Sequence, residues 1–143
     1  MATSKLSFIL SLSLLSMAHA HAAPRSIPVE ASEMTFLQES LQIAPGEIVE
    51  FVVTNTGMLD HEFVIGSRSE QAQHRKEMVS GHGHGHAGAH SHESSLPSIT
   101  LKPGETKSLL WTAPVNLSAA IEVACNLPGH YEAGMKSQVE MKD

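Results

Sequence analysis

The chain has 143 residues with nine Lys and Arg against fifteen Asp and Glu, a net charge of −6. Nucleic acid and anionic lipid both require a basic surface, so this balance argues against either as a partner and leaves a cationic protein open. The single cysteine, Cys125, excludes an internal disulfide and a binuclear dithiolate copper site.

The N-terminus reads as a secretory signal peptide over residues 1–20. Lys5 precedes the apolar and hydroxyl run LSFILSLSLLSM, which is too short to span a bilayer, and the small-residue stretch AHAHAA follows. Cleavage is placed between residues 20 and 23. A cut after Ala20 makes His21 the amino terminus, where amine and imidazole together chelate Cu(II), whereas a cut after Ala22 removes it. Loss of Lys5, the only charge in this segment, takes the net charge from −6 to −7. The remaining residues, 21–143, suffice for one domain and contain no second apolar stretch of membrane length, so a soluble, exported, periplasmic protein is expected.

Eight short strands are predicted along this domain: Ile27 to Met34, Ser40 to Ile43, Glu47 to Thr54, His61 to Ile65, Ser98 to Leu101, Glu105 to Thr112, Ala120 to Ala124 and Lys136 to Met141. Two of them are entered through Pro-Gly turns, Ala44-Pro45-Gly46 and Lys102-Pro103-Gly104. Short strands separated by turn signals point to an all-β antiparallel sandwich or barrel. One segment breaks the pattern. Ser67 to Ser80 lacks alternation and opens with a capping box, Ser67 with Glu70, which predicts a short helix inserted between strands. It leads into HGHGHAGAHSH, residues 82–92, whose Gly/His composition predicts a loop.

Near the C-terminus, CNLPGHYEAGM places a thiolate, an imidazole and a thioether in one loop at residues 125, 130 and 135, between strand-like flanks. Pro128 and Gly129 supply the bend. Two imidazoles and a thiolate with a weak axial thioether is the ligand set of type 1 copper, the sulfur donors favouring Cu(I). His61, opening a strand after the turn-prone NTGMLD and anchored by Phe63, Val64 and Ile65, is the candidate for the second imidazole. The expected site is thus one copper ion on His61, Cys125, His130 and Met135. Structural zinc would prefer more thiolates and no thioether. Several His-x-His pairs in a longer chain would be needed for a three-copper oxidase.

Accessory metal binding is expected at His82, His84, His86, His90 and His92, because short His-rich tracts bind Cu(II), Zn(II) or Ni(II) weakly and exchangeably. His74 and Met78, four apart on the predicted helix, share a face that suits a transient Cu(I) contact, or else ordinary packing of Met78.

HEFVIG at residues 61–66, CNLPGHYEAGM with its trailing Lys136, and the two Pro-Gly hairpins resemble the cupredoxins, and within them the rusticyanin-like and periplasmic copper-tolerance groups. The resemblance covers nearly all of residues 40–143. It implies a Greek-key β-sandwich with copper near one end on His61, Cys125, His130 and Met135, the Cys-His-Met loop joining the last two strands. It also implies that the His130 ring edge is an electron entry point, where Leu127, Pro128, Tyr131 and Ala133 either form a docking rim for a redox partner or simply cover the metal. One departure stands out. Many cupredoxins carry Asn after the first histidine, where its amide orders the thiolate loop, and here Glu62 takes that place. The functional expectation is copper tolerance or homeostasis through Cu(I)/Cu(II) binding, favoured by the His-rich insertion over a dedicated electron carrier. An oxidase acting on Cu(I) is disfavoured because four protein ligands leave no open position. No acid/base or hydrolytic constellation is present, so no enzyme is expected.

Overall fold

The computed structural model describes residues 23–38, 40–81, 96–116 and 119–142. Within them lie nine strands and one helix: β1 (Arg25–Ser32), β2 (Thr35–Leu37), β3 (Gln42–Ile43), β4 (Ile48–Asn55), β5 (His61–Ser67), α1 (Arg68–Gly81), β6 (Ser98–Leu101), β7 (Thr106–Thr112), β8 (Ile121–Ala124) and β9 (Lys136–Met141). The predicted signal segment with His21, and the histidines of residues 82–92, fall outside the described residues.

The strands form two sheets, ordered β2-β1-β4-β7 and β3-β9-β8-β5-β6. Alternation writes the first sheet plainly. In β4 the residues Val49, Phe51, Val53 and Asn55 are buried while their neighbours are half-exposed, the period-two signature of a sheet with one covered face. The sheets meet at an aromatic contact. Phe63 of β5 lies 5.3 Å from Phe36 and 5.2 Å from Phe51, both on the opposite sheet, and the edge-to-face geometry with Phe36 suits ring quadrupoles.

Pairing is mixed, a detail beyond the expected antiparallel sandwich or barrel. β1 runs parallel to β4 and β3 parallel to β9. A parallel pair cannot be closed by a tight hairpin. The chain meets this by leaving the first sheet after β2, adding β3 to the other sheet, and returning as β4. β2, only three residues long, is absent from the sequence expectation, as are the parallel partners.

β5 differs from every other strand in being buried at all seven positions. Its inward residues, Phe63 and Ile65, belong to the core between the sheets. Its outward side is covered by α1, which packs on β5 and β8. The helix starts where the capping box places it: Glu70 N–H donates to Ser67 Oγ at 3.3 Å and Ser67 N–H to Glu70 Oε2 at 2.7 Å, satisfying two amides that helix geometry leaves free.

The two Pro-Gly turns are built alike. Glu47 N–H donates to Ala44 O and Glu105 N–H to Lys102 O, both at 3.0 Å, and each Glu carboxylate accepts the N–H of the residue preceding the proline, at 2.7 and 2.8 Å. Gly46 and Gly104 occupy the third turn position with φ of +76° and +80°, which identifies type II turns. At the sandwich flank, Lys107 of β7 donates from Nζ to Thr100 O of β6 at 2.6 Å, linking the edges of the two sheets.

A methyl group at Gly104 would meet nothing within 4 Å, so Gly104→Ala isolates backbone strain. It is expected to lower unfolding free energy by about 1–2 kcal/mol in urea titration. The bond from Arg25, and then that to the Ala44 amide, hold the Glu47 carboxyl below its usual range. Its contribution is therefore present above the ordinary carboxylate pKa and fades as pH falls through the depressed one. Glu47→Gln should flatten the acid limb of the stability profile, measured by thermal melts between pH 3 and pH 7 (a range on the order of the carboxylate titration).

Candidate metal centre

Three of the sequence-designated donors converge at one end of the sandwich. The ligand atoms of His61, Cys125 and His130 all lie within 4.8 Å of one another. Cys125 Sγ is 3.3 Å from His130 Nδ1, and the His61 and His130 rings stand edge to face with centroids 5.3 Å apart. All three residues are buried; His61 is 0% and His130 8% exposed.

Strand alternation delivers two of them. His61 precedes Phe63 and Ile65 on the inward side of β5, and Cys125 follows Val123 at the inward end of β8. The antiparallel register pairs Val64 with Ala124, which brings the start of β5 to the end of β8. There Glu62 N–H donates to Cys125 Sγ at 3.3 Å.

The loop from β8 to β9 brings in the other two. Gly129 and Gly134, at φ of +86° and +107°, let it fold back on itself. Its backbone ties donors to each other: Met135 N–H donates to His130 O and Cys125 N–H to Met135 O, both at 3.0 Å. Met135 is fully buried and packs into the core together with Cys125.

Electrostatics here is dominated by desolvation. Burial, and then the charge of His130, lowers the His61 pKa, so this imidazole is neutral at neutral pH. Burial pushes the Cys125 thiol up, opposed by backbone hydrogen bonds from Glu62 and Leu127. Both His61 nitrogens are buried without a hydrogen-bond partner among the described residues. Polar atoms in that condition cost stability unless a ligand takes them up. A soft thiolate beside two imidazoles fits copper by donor chemistry, and the orphaned His61 supplies the structural sign that the pocket is shaped for an ion.

Similarity to known proteins points to copper as well. Residues 24–142 match the family described as copper binding proteins of the plastocyanin/azurin family. The chain belongs to that family. Among relatives, it is 42% identical over 111 residues to the copper-resistant cuproprotein CopI of Vibrio cholerae, an alignment covering 76% of this chain and 59% of that protein. To the protein of the same description from Pseudomonas aeruginosa it is 33% identical over 147 residues, covering 87% and 80%. The chain thus spans under two-thirds of the length of the Vibrio relative. Solved structures share the fold. The reduced auracyanin of Roseiflexus castenholzii aligns with a TM-score of 0.66 at 20% identity, over 85% of this chain and 100% of that one. Auracyanin A of Chloroflexus aurantiacus gives 0.64 at 21%, over 84% and 100%.

Other sequence-designated residues fare differently. His74 does not stand open as a metal contact. It is buried, and its Nε2 lies 2.9 Å from Glu62 Oε1, because the helix face that carries it is turned onto β5. Met78, on the following turn, is half-buried. Where Glu62 stands in place of the usual Asn, its backbone N–H donates to the Cys125 sulfur and its carboxylate turns to His74.

Gly57 was not singled out in the sequence. A Cβ there would come within 3.2 Å of His61 Nε2 and 3.0 Å of Glu33 N, so the residue must stay small for the β4–β5 loop to close over the imidazole. Its only signal is a glycine four residues before a candidate ligand.

His61→Leu removes the orphaned nitrogens while keeping similar volume. Metal-free protein carrying it is expected to gain about 1 kcal/mol or more in unfolding free energy, measured by urea titration in the presence of chelator, while copper uptake collapses.

Proposed function

We propose that this chain is an exported copper-tolerance protein that holds one copper ion on His61, Cys125, His130 and Met135. The observation that carries the reading is the buried cluster of His61, Cys125 and His130 within 4.8 Å, with both nitrogens of His61 unpartnered. Likeness to two proteins described as copper-resistant cuproproteins directs it toward tolerance. The signal-like N-terminus supports export to the periplasm. Among the described residues no helix is long and apolar enough to cross a membrane.

Each residue has a distinct task. His61 and His130 offer ring nitrogens and Cys125 a thiolate, which its backbone hydrogen bonds stabilise once the proton has left. Met135 supplies the weak fourth donor from a loop whose backbone already fixes it to His130 and Cys125. Copper on such a set alternates between Cu(I) and Cu(II). The protein binds and does not turn over a substrate, since four side chains fill the coordination sphere. Histidines 82, 84, 86, 90 and 92 add weak capture of further ions.

A carrier role would use the same site, with a partner docking near His130. Half-buried Leu127 and exposed Pro128 and Ala133 give the ligand loop a partly apolar outer side for such contact.

Copper titration with visible and electron paramagnetic resonance spectroscopy tests the site. An intense thiolate-to-copper band saturating at one equivalent and absent in Cys125→Ser is expected. Weak histidine-type signals alone would overturn the assignment. Deleting the gene should sensitise cells to copper; impaired respiration with normal copper resistance would favour the carrier.

A further inference from the structure

Helix α1 carries no apolar stripe, yet three of its polar residues, Gln71, His74 and Arg75, face inward and reach the metal centre from behind. Their spacing, i, i+3 and i+4, places them on one face. Each grips a residue that immediately follows a donor.

Glu62, next after His61, is buried, and its Oε1 lies 2.9 Å from His74 Nε2. Glu62 Oε2 has no partner among the described residues, so His74 alone holds that carboxylate in place. Asn126, next after Cys125, is gripped twice: its Nδ2 donates to Gln71 Oε1 at 2.6 Å, and its Oδ1 accepts from Arg75 Nη1 at 2.9 Å. Gln71, 0% exposed, is itself pinned by donating from Nε2 to Val64 O of β5 and Glu122 O of β8, at 3.1 and 3.3 Å. Tyr131, next after His130, lies under the Arg75 guanidinium, 3.5 Å from its ring centroid, and donates to Glu122 Oε1 at 2.7 Å. Lys136, next after Met135, has its ammonium 4.0 Å from the centre of the same ring.

We propose that the inward face of α1 is the positioning element of the copper site, with Gln71, His74 and Arg75 setting donor geometry through Glu62, Asn126 and Tyr131. The helix takes over the ordering of the thiolate loop that a side-chain amide after the first histidine would otherwise supply. These are positioning residues, since none of them contacts the donor atoms. Partners behind metal ligands of this kind change affinity by about 10- to 100-fold when removed. The inference rests on the copper-site reading above, and the test separates the two.

Gln71→Met, His74→Leu and Arg75→Ala are compared with Glu77→Ala, on the exposed side of the same helix. If the proposal holds, the three inward variants still take up one copper through Cys125. Their thiolate-to-copper band shifts, their reduction potential moves, and copper affinity falls about tenfold or more, while Glu77→Ala matches the parent. In metal-free protein, amide hydrogen exchange across residues 125–136 speeds up in the inward variants alone. His74→Gln, which can still donate to Glu62, should restore the parent spectrum. Unchanged spectra, potential and exchange in all three would overturn the proposal and leave α1 a cover for the sheet. Arg75→Ala, at a half-buried position, carries the test if Gln71→Met does not fold. Absence of a thiolate band in the parent protein would defeat the copper-site reading itself.

Discussion

Strand β5 has no solvent-facing side, and the metal centre depends on that. Its inward residues lock into the core through Phe63, and its outward residues lie beneath α1. A strand buried on both faces cannot slip by one residue without driving Glu62 into the core and Phe63 under the helix. His61 is therefore held at a fixed depth and angle before any ion arrives, and Cys125 meets it through the β5–β8 register.

Holding donors this way has a cost in the metal-free protein. The two nitrogens of His61 have left water without gaining partners, and the Cys125 thiol is kept protonated by the same dry surroundings. On the proposed assignment, ion binding would repay this by replacing lost hydration with coordination. Stability of the empty fold would then be traded for a site that needs little rearrangement to fill, as expected where function and local packing rules conflict.

Much of the strand pattern was legible because turn chemistry brackets it. β6 and β9 fall at the residues that the sequence designates, and both Pro-Gly turns form as read. Cys125, His130 and Met135 stood out as candidates because one loop carries them all, whereas His61 required the neighbouring apolar run as support, and the structure brings His61, Cys125 and His130 together. The parallel pairs were not legible, since they arise from a chain crossing between sheets that no local signal encodes. The role of α1 was equally hidden. Its sequence, RSEQAQHRKEMVSG, has no apolar stripe to declare which side turns inward, so Gln71 goes unremarked and His74 reads as a metal contact until the structure places them against β5 and β8. Glu62 was legible only as a departure that left the hydrogen bonds to Cys125 open, because a side chain cannot reveal what its backbone N–H bonds.

The link between Lys107 and Thr100 bears on how copies of this molecule behave when crowded. β7 and β6 are the terminal strands of their sheets on that flank, where unpaired amides and carbonyls invite an incoming strand from another copy. The ammonium occupies one of those carbonyls on β6 and sets a charge at the seam between the two margins. An approaching strand would have to strip that charge of water to extend either sheet. Leu110 lies exposed on β7 beside this seam, so the same charge stands in the path of a strand that would add to that edge.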